Sequence, residues 1–164
     1  MALGQILRDH PLTRGLTESG LAQLASLACE ETFAQDQIIL VAGQQSKDFY
    51  LLLSGSVCVE VCAPRYTVCV QALGSGEAFG WSSLLLHHDT LFQIRARERS
   101  TVIRLDGSRL YAVCGEDPEF GLELFRRLLE LVAGRVQATE LRLAEFCGIA
   151  TSGTGAHAEP GHVT

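Results

Sequence analysis

The sequence predicts a mainly β fold, a sandwich or barrel with helices at both ends, and three observations predict it. Near residue 31 the apolar pattern changes from a helical spacing to short strand-like runs. Gly43, Gly55, Pro64, Gly74, Gly76 and Gly107 punctuate those runs. From Asp117 a helical spacing returns and holds to Phe146. The breaks divide the chain into an N-terminal helical segment (1–30), a β-roll (31–116), a long helix (117–147) and a tail (148–164).

Each element has a local cause. In "LTESGLAQLASLACEE" the residues Leu21, Leu24 and Leu27 recur every third position, and Thr17 offers an oxygen to cap the helix. The runs "QIILVAG", "FYLLLSGSVCVEVCA", "YTVCVQAL" and "FQIRARERSTVIRLDG" read as strands. With Pro64-Arg65 as a turn, Val57, Val59 and Val61 share one face and are predicted core. Cys58, Glu60 and Cys62 share the other, and Cys69 falls opposite Glu60. Asp117 suits an N-cap, Pro118 the first helical position and Glu119 the positive end of the dipole.

The long helix, roughly 40 Å at 1.5 Å per residue, carries Leu122, Phe125, Leu129, Val132, Val136, Thr139, Leu143 and Phe146 at alternating spacings of three and four. That is a heptad seam with one polar member, and it predicts a homodimer through paired helices. The tail "CGIATSGTGAHAEPGHVT" is rich in Gly, Ser and Thr without periodicity and is expected to be disordered.

Composition limits the function classes. The net charge is −6, from 13 Lys plus Arg and 19 Asp plus Glu, which argues against an independent grip on DNA. The dense basic run, Arg95, Arg97 and Arg99, has the alternation of a strand's solvent side. No apolar run approaches the ~20 residues of a membrane span, and the N-terminus lacks signal-peptide features. A cytoplasmic protein without membrane contact is expected.

The six cysteines, at 29, 58, 62, 69, 114 and 147, lack zinc-ligand spacing. No metal site is expected, and reduced thiols are. A metal-dependent β-barrel enzyme would need spaced His and Glu ligands facing inward. His87, His88 and Asp89 instead cluster in one loop with His10 remote. No catalytic residue is assigned, and the protein is expected not to be an enzyme.

The stretch "GSGEAFGWSSLL" bears most on function. Gly76, Ala78 and Gly80 are small enough for backbone N–H groups to approach an anion, and a short helix near Ser82 would add its dipole. Together with "DFYLLLSGSVCVEV" and "DGSRLYAVCGEDPEFGLELFRRLLELVAGRV", in this order, the stretch resembles the cyclic-nucleotide-binding domain of the catabolite-activator and fumarate/nitrate-regulator superfamily. Its "GWSSL" is similar to a stand-alone subgroup with Gly-Trp-Ser after the cassette and no helix-turn-helix domain. The resemblance implies a β-jelly roll of the cyclic-nucleotide-binding type with a long C-terminal dimerisation helix.

The family's phosphate cassette reads Gly-x-x-Phe-Gly-Glu-x-x-Leu, its Glu taking the ribose 2′-hydroxyl and a later Arg pairing the cyclic phosphate. Trp81 stands at the Glu position and Thr90 at the Arg position. Each charge-assisted bond contributes roughly 1.5–3 kcal/mol. Losing both implies cyclic nucleotide binding weaker by about two to four orders of magnitude.

The resemblance therefore implies a non-enzymatic sensor with a degenerate cassette, its pocket candidates being Gly76, Glu77, Ala78, Phe79, Gly80, Trp81, Ser82, Ser83, Thr90 and Leu91. A cyclic nucleotide or another small anion is the expected ligand, and a protein partner is compatible with the seam. Two alternatives stand beside it. One is a cyclic AMP- or cyclic GMP-binding, transcription-regulator-like protein with atypical contacts. The other is an effector-free protein-interaction module whose pocket is filled by Trp81 and Leu84 to Leu86.

Overall fold

The computed structural model describes residues 3–85, 89–90 and 92–148. The expectations placed on His87, His88, Leu91 and the tail beyond 148 lie outside the described residues. By its internal contacts the chain divides into two units, Met1–Glu130 and Leu131–Thr164.

The first unit opens with helices α1 (Leu3–Asp9) and α2 (Glu18–Leu27), the latter capped by the Thr17 side chain accepting from Gly20 N–H. Eight strands follow: β1 (Ala28–Phe33), β2 (Ile38–Leu40), β3 (Asp48–Ser54), β4 (Ser56–Cys62), β5 (Thr67–Gly74), β6 (Ala78–Phe79), β7 (Gln93–Ala96) and β8 (Ser100–Asp106). They form two antiparallel four-stranded sheets, ordered β1-β8-β3-β6 and β2-β7-β4-β5. Helices α3 (Gly107–Glu116) and α4 (Pro118–Phe146) complete the described fold. This is the expected jelly roll with a long C-terminal helix.

The core lies between the sheets. Phe33, Tyr50, Leu52, Val57, Val59, Leu73, Phe79, Ile94, Ala96 and Val102 form one cluster. Tyr50 stacks on Phe79 at 4.8 Å and meets Phe33 edge-on at 6.2 Å. Phe49 and Leu51, on the opposite face of β3, are also buried, as are Ile103 and Leu105 of β8. Helices α2 and α3 cover β8 there. Strand β3 is therefore apolar on both faces, so "FYLLL" reads as a continuous run instead of an alternation.

Four expectations need correction. The N-terminal helical segment ends at Leu27, and Ala28–Phe33 is strand β1 paired residue by residue with β8. Its polar "CEET" lacks the apolar alternation that marks a strand, so pairing overrode the local pattern. Residues 107–116 are helix α3 and not part of the roll, started by Asp106, whose side chain accepts from Arg109 N–H at 2.9 Å. Val61 is exposed, not core, because it lies at the hairpin tip beyond β7, whose pairing with β4 stops at Glu60. Arg97 and Arg99 lie in the turn after β7, while Arg95 on the strand pairs with Glu60 at 3.1 Å.

The cysteines depart from expectation as well. Cys58 and Cys69 are joined in a disulfide, with Cα atoms 5.8 Å apart. The pairing of Glu60 with Cys69 is as the sequence predicted. That pairing sets Cys69 diagonal to Cys58 on the same face, with a register shift between Val59 and Glu60. Cys29, Cys62 and Cys147 are exposed free thiols; Cys114 is buried and free, its thiol pushed up to about 11 by burial and then by Asp117.

Candidate functional site

The cassette begins where β5 turns into β6. Gly76 N–H donates to Leu52 O, and Leu52 N–H donates to Glu77 O, both at 2.8 Å. The Glu77 carboxylate accepts from Gly74 N–H at 2.7 Å and closes the turn. Ala78 and Phe79 then pair with Leu51 and Tyr50 and are buried. These two pocket candidates are core side chains that hold the loop down.

Gly80 redirects the chain. Its φ is +79°, and a Cβ there would lie 2.5 Å from Asp48 O and 3.3 Å from the Ser46 hydroxyl. A left-handed, side-chain-free residue is therefore required at the junction. It launches a single 3-10 turn, Trp81–Leu84, the short helix expected near Ser82. Ser82 and Leu84 are buried, whereas Trp81 and Ser83 are half-buried. Of the side chains that the effector-free alternative put in the pocket, Leu84 is buried, Trp81 half-buried and Leu85 exposed, while Leu86 lies outside the described residues. Ser83 packs under α3, where a Cβ on Gly107 would come within 2.6 Å of it.

Thr90 is held by its own loop. Its hydroxyl donates to Phe92 O at 3.0 Å and accepts from Phe92 N–H at 3.2 Å. Its backbone bonds the β2–β3 loop: Thr90 N–H to Gln44 O at 3.1 Å, and Gly43 N–H to Thr90 O at 2.7 Å. Where this loop meets Thr90 lies a cavity of about 210 Å³, lined among others by Leu40, Gln44, Lys47, Tyr50 and Thr90. The structure brings Thr90 and Gly80 to the same β2–β3 loop. It places Ala78 and Phe79 in the core instead.

Two guanidinium groups on the roll's strands are committed. Arg104 bonds Asp48 at 3.2 Å, and Arg95 bonds Glu60 and the Asp36 carbonyl. Lys47, which lines the cavity with Thr90, is the chain's single lysine. The β2–β3 loop as a wall of the site was missed from sequence. A lone lysine in a polar loop was the one signal for it.

A second cavity, about 450 Å³, opens between α1 and the outer side of the first sheet, with Asp9, His10, Pro11, Glu30, Ser75 and Gly76 among its lining. Among the described residues no group of three His, Cys, Asp or Glu is placed to hold a metal ion. No described helix is long and apolar enough to cross a membrane.

Gly76 and Gly80 bracket β6 at the cassette, and a long helix follows the roll. Residues 30–117 match the cyclic nucleotide-binding domain family, and the chain belongs to it. Among curated relatives, potassium channel AKT1 of Oryza sativa is 25% identical over 148 residues, 85% of this chain. The chain spans only 16% of that channel. Among solved structures, a cyclic nucleotide-binding domain from Methylobacillus flagellatus superposes with a TM-score of 0.75 at 20% identity, covering 88% of this chain and 82% of that one. The regulatory subunit of a cAMP-independent protein kinase A from Trypanosoma brucei superposes with a TM-score of 0.66 at 19% identity, covering 87% and 49%.

Proposed function

We propose that this chain is a non-enzymatic regulatory module whose cassette has lost charged recognition of cyclic AMP, and which works as a dimer through α4. The carrying observation is Thr90. At the position where the family's Arg would meet a phosphate, a neutral hydroxyl is engaged by the Phe92 backbone on both sides. Trp81, half-buried at the Glu position, offers an indole face in place of a carboxylate. The ligand this favours is a flat or weakly charged small molecule. The T. brucei subunit supports the reading: a threonine-to-arginine exchange is one of three in its variant bound to cAMP.

The dimer reading rests on the exposed side of α4. Leu122, Leu129, Val136 and Leu143 recur every seven residues and are 75%, 68%, 51% and 62% exposed. A strict seven-residue apolar repeat is the geometry of a paired-helix seam. Phe146, at 90% exposure, ends it.

Isothermal titration with cyclic AMP and cyclic GMP at low salt tests the cassette. No heat is expected up to millimolar ligand. The Trp81→Glu/Thr90→Arg double variant is expected to gain binding by at least tenfold. Micromolar binding by the unaltered protein would overturn the reading in favour of a cyclic nucleotide sensor with atypical contacts.

A further inference from the structure

His10 follows the last residue of α1, yet it is only 4% exposed. Its Nδ1 accepts the Leu12 N–H at 3.2 Å, so this nitrogen must carry a lone pair and the ring proton sits on Nε2. Nε2 is buried without a hydrogen-bond partner. The ring's pKa is lowered chiefly by burial, and the nearby carbonyls of Glu77 and Leu52 oppose that lowering. These are the same two carbonyls that accept from Leu52 N–H and Gly76 N–H at the opening turn of the cassette. Pro11 completes the contact, since a Cβ on Gly76 would lie 3.0 Å from its Cγ.

We propose that His10 is a proton-operated latch: neutral, it docks the N-terminal helices on the Gly76–Glu77 turn, and protonated, it releases them. A proton on Nδ1 would set two N–H donors against each other at Leu12 and place a cation on a side chain only 4% exposed. The released ring has somewhere to go. The 450 Å³ cavity beside it is lined by Asp9 of α1 and Glu30 of β1. Those carboxylates would stabilise an imidazolium there. Glu77, the third acidic group at this place, is occupied by Gly74 N–H. The two arrangements differ in affinity for a proton, which is what a population shift requires.

The sign follows from burial. Desolvation lowers the His10 pKa from 6.5, with the Glu77 and Leu52 carbonyls opposing it. The docked state is therefore fully populated above the ordinary histidine range and is lost as pH falls below it. The latch rests on the cassette being the responsive element, but it is testable with no ligand present. Its failure is thus separate from any failure of the ligand reading.

Trp81, the single tryptophan, lies four residues beyond Glu77 and reports on the cassette. Its emission should change sigmoidally between pH 8 and 5, with a midpoint below 6.5. The change should vanish in His10→Gln and survive in the His87→Gln/His88→Gln double variant. In the unaltered protein, the NMR amide signals of Leu12 and Gly76 should titrate together with the His10 ring, which keeps the test open if His10→Gln fails to fold. An unchanged Gly76 signal while His10 titrates would overturn the latch, as would an emission change that persists in a folded His10→Gln protein.

Discussion

Gly80→Ala would place a methyl group 2.5 Å from the Asp48 carbonyl oxygen at a φ of +79°. Backbone strain alone costs about 1–3 kcal/mol there, before the clash is counted. Urea denaturation should show a loss of at least that size. The two aromatic residues flanking Gly80 should behave differently. Phe79 is 1% exposed and stacked on Tyr50, so Phe79→Ala should cost about 3–5 kcal/mol. Half-buried Trp81 should tolerate Trp81→Ala at less than about 2 kcal/mol. Near-equal losses at the two positions would favour the reading in which the indole fills the pocket.

At the scale of elements, α4 has two apolar faces with different roles. Phe120, Leu124 and Leu128, spaced by four, are buried within the first unit. Arg127 adds a tether, donating to the Leu12 and Arg14 carbonyls at 3.2 and 2.6 Å. Leu124→Ala should therefore lower stability by about 2–5 kcal/mol. Leu129→Asp with Leu143→Asp acts on the exposed stripe instead. It should leave the first unit's melting temperature unchanged while shifting sedimentation to a monomer. A dimer that persists in that variant would remove the seam from the proposal.

For the molecule as a whole, the Cys58–Cys69 bond closes a loop with a sequence separation of 11. A closure of that length stabilises by about 3 kcal/mol through the unfolded chain. Cys69→Ser should shift the urea midpoint down accordingly. Alkaline pH tests the intersheet core. The Tyr50 phenol is pushed up to about 12, chiefly by burial and then by Asp48 and Glu31. An acid whose pKa is raised in the fold contributes stability that is full below its ordinary value of 10.0 and is lost as pH rises toward 12. Melting temperature should drop across that window, and Tyr50→Phe should remove part of the drop.

The sequence by itself determined a helix after Thr17, a glycine-punctuated run of strands and a long helix from Pro118 to Phe146, but neither strand β1 nor helix α3. Caps at Thr17 and Asp117, the Pro64-Arg65 turn and the heptad spacing are local chemistry, and local chemistry is legible one residue at a time. It also determined that the cassette has a Trp and a Thr where the family has charges. The tertiary structure decided what depends on residues far apart in the chain. Strand β1 exists because β8 pairs with it, not because "CEET" prefers to extend. Cys58 and Cys69 meet because β4 pairs with β5 and holds them diagonal to each other on one face. The β2–β3 loop walls the site at Thr90, and His10 is buried against a turn some 65 residues away. Such pairings carry no periodic signature, because their energy comes from contacts formed only after the sheets have closed.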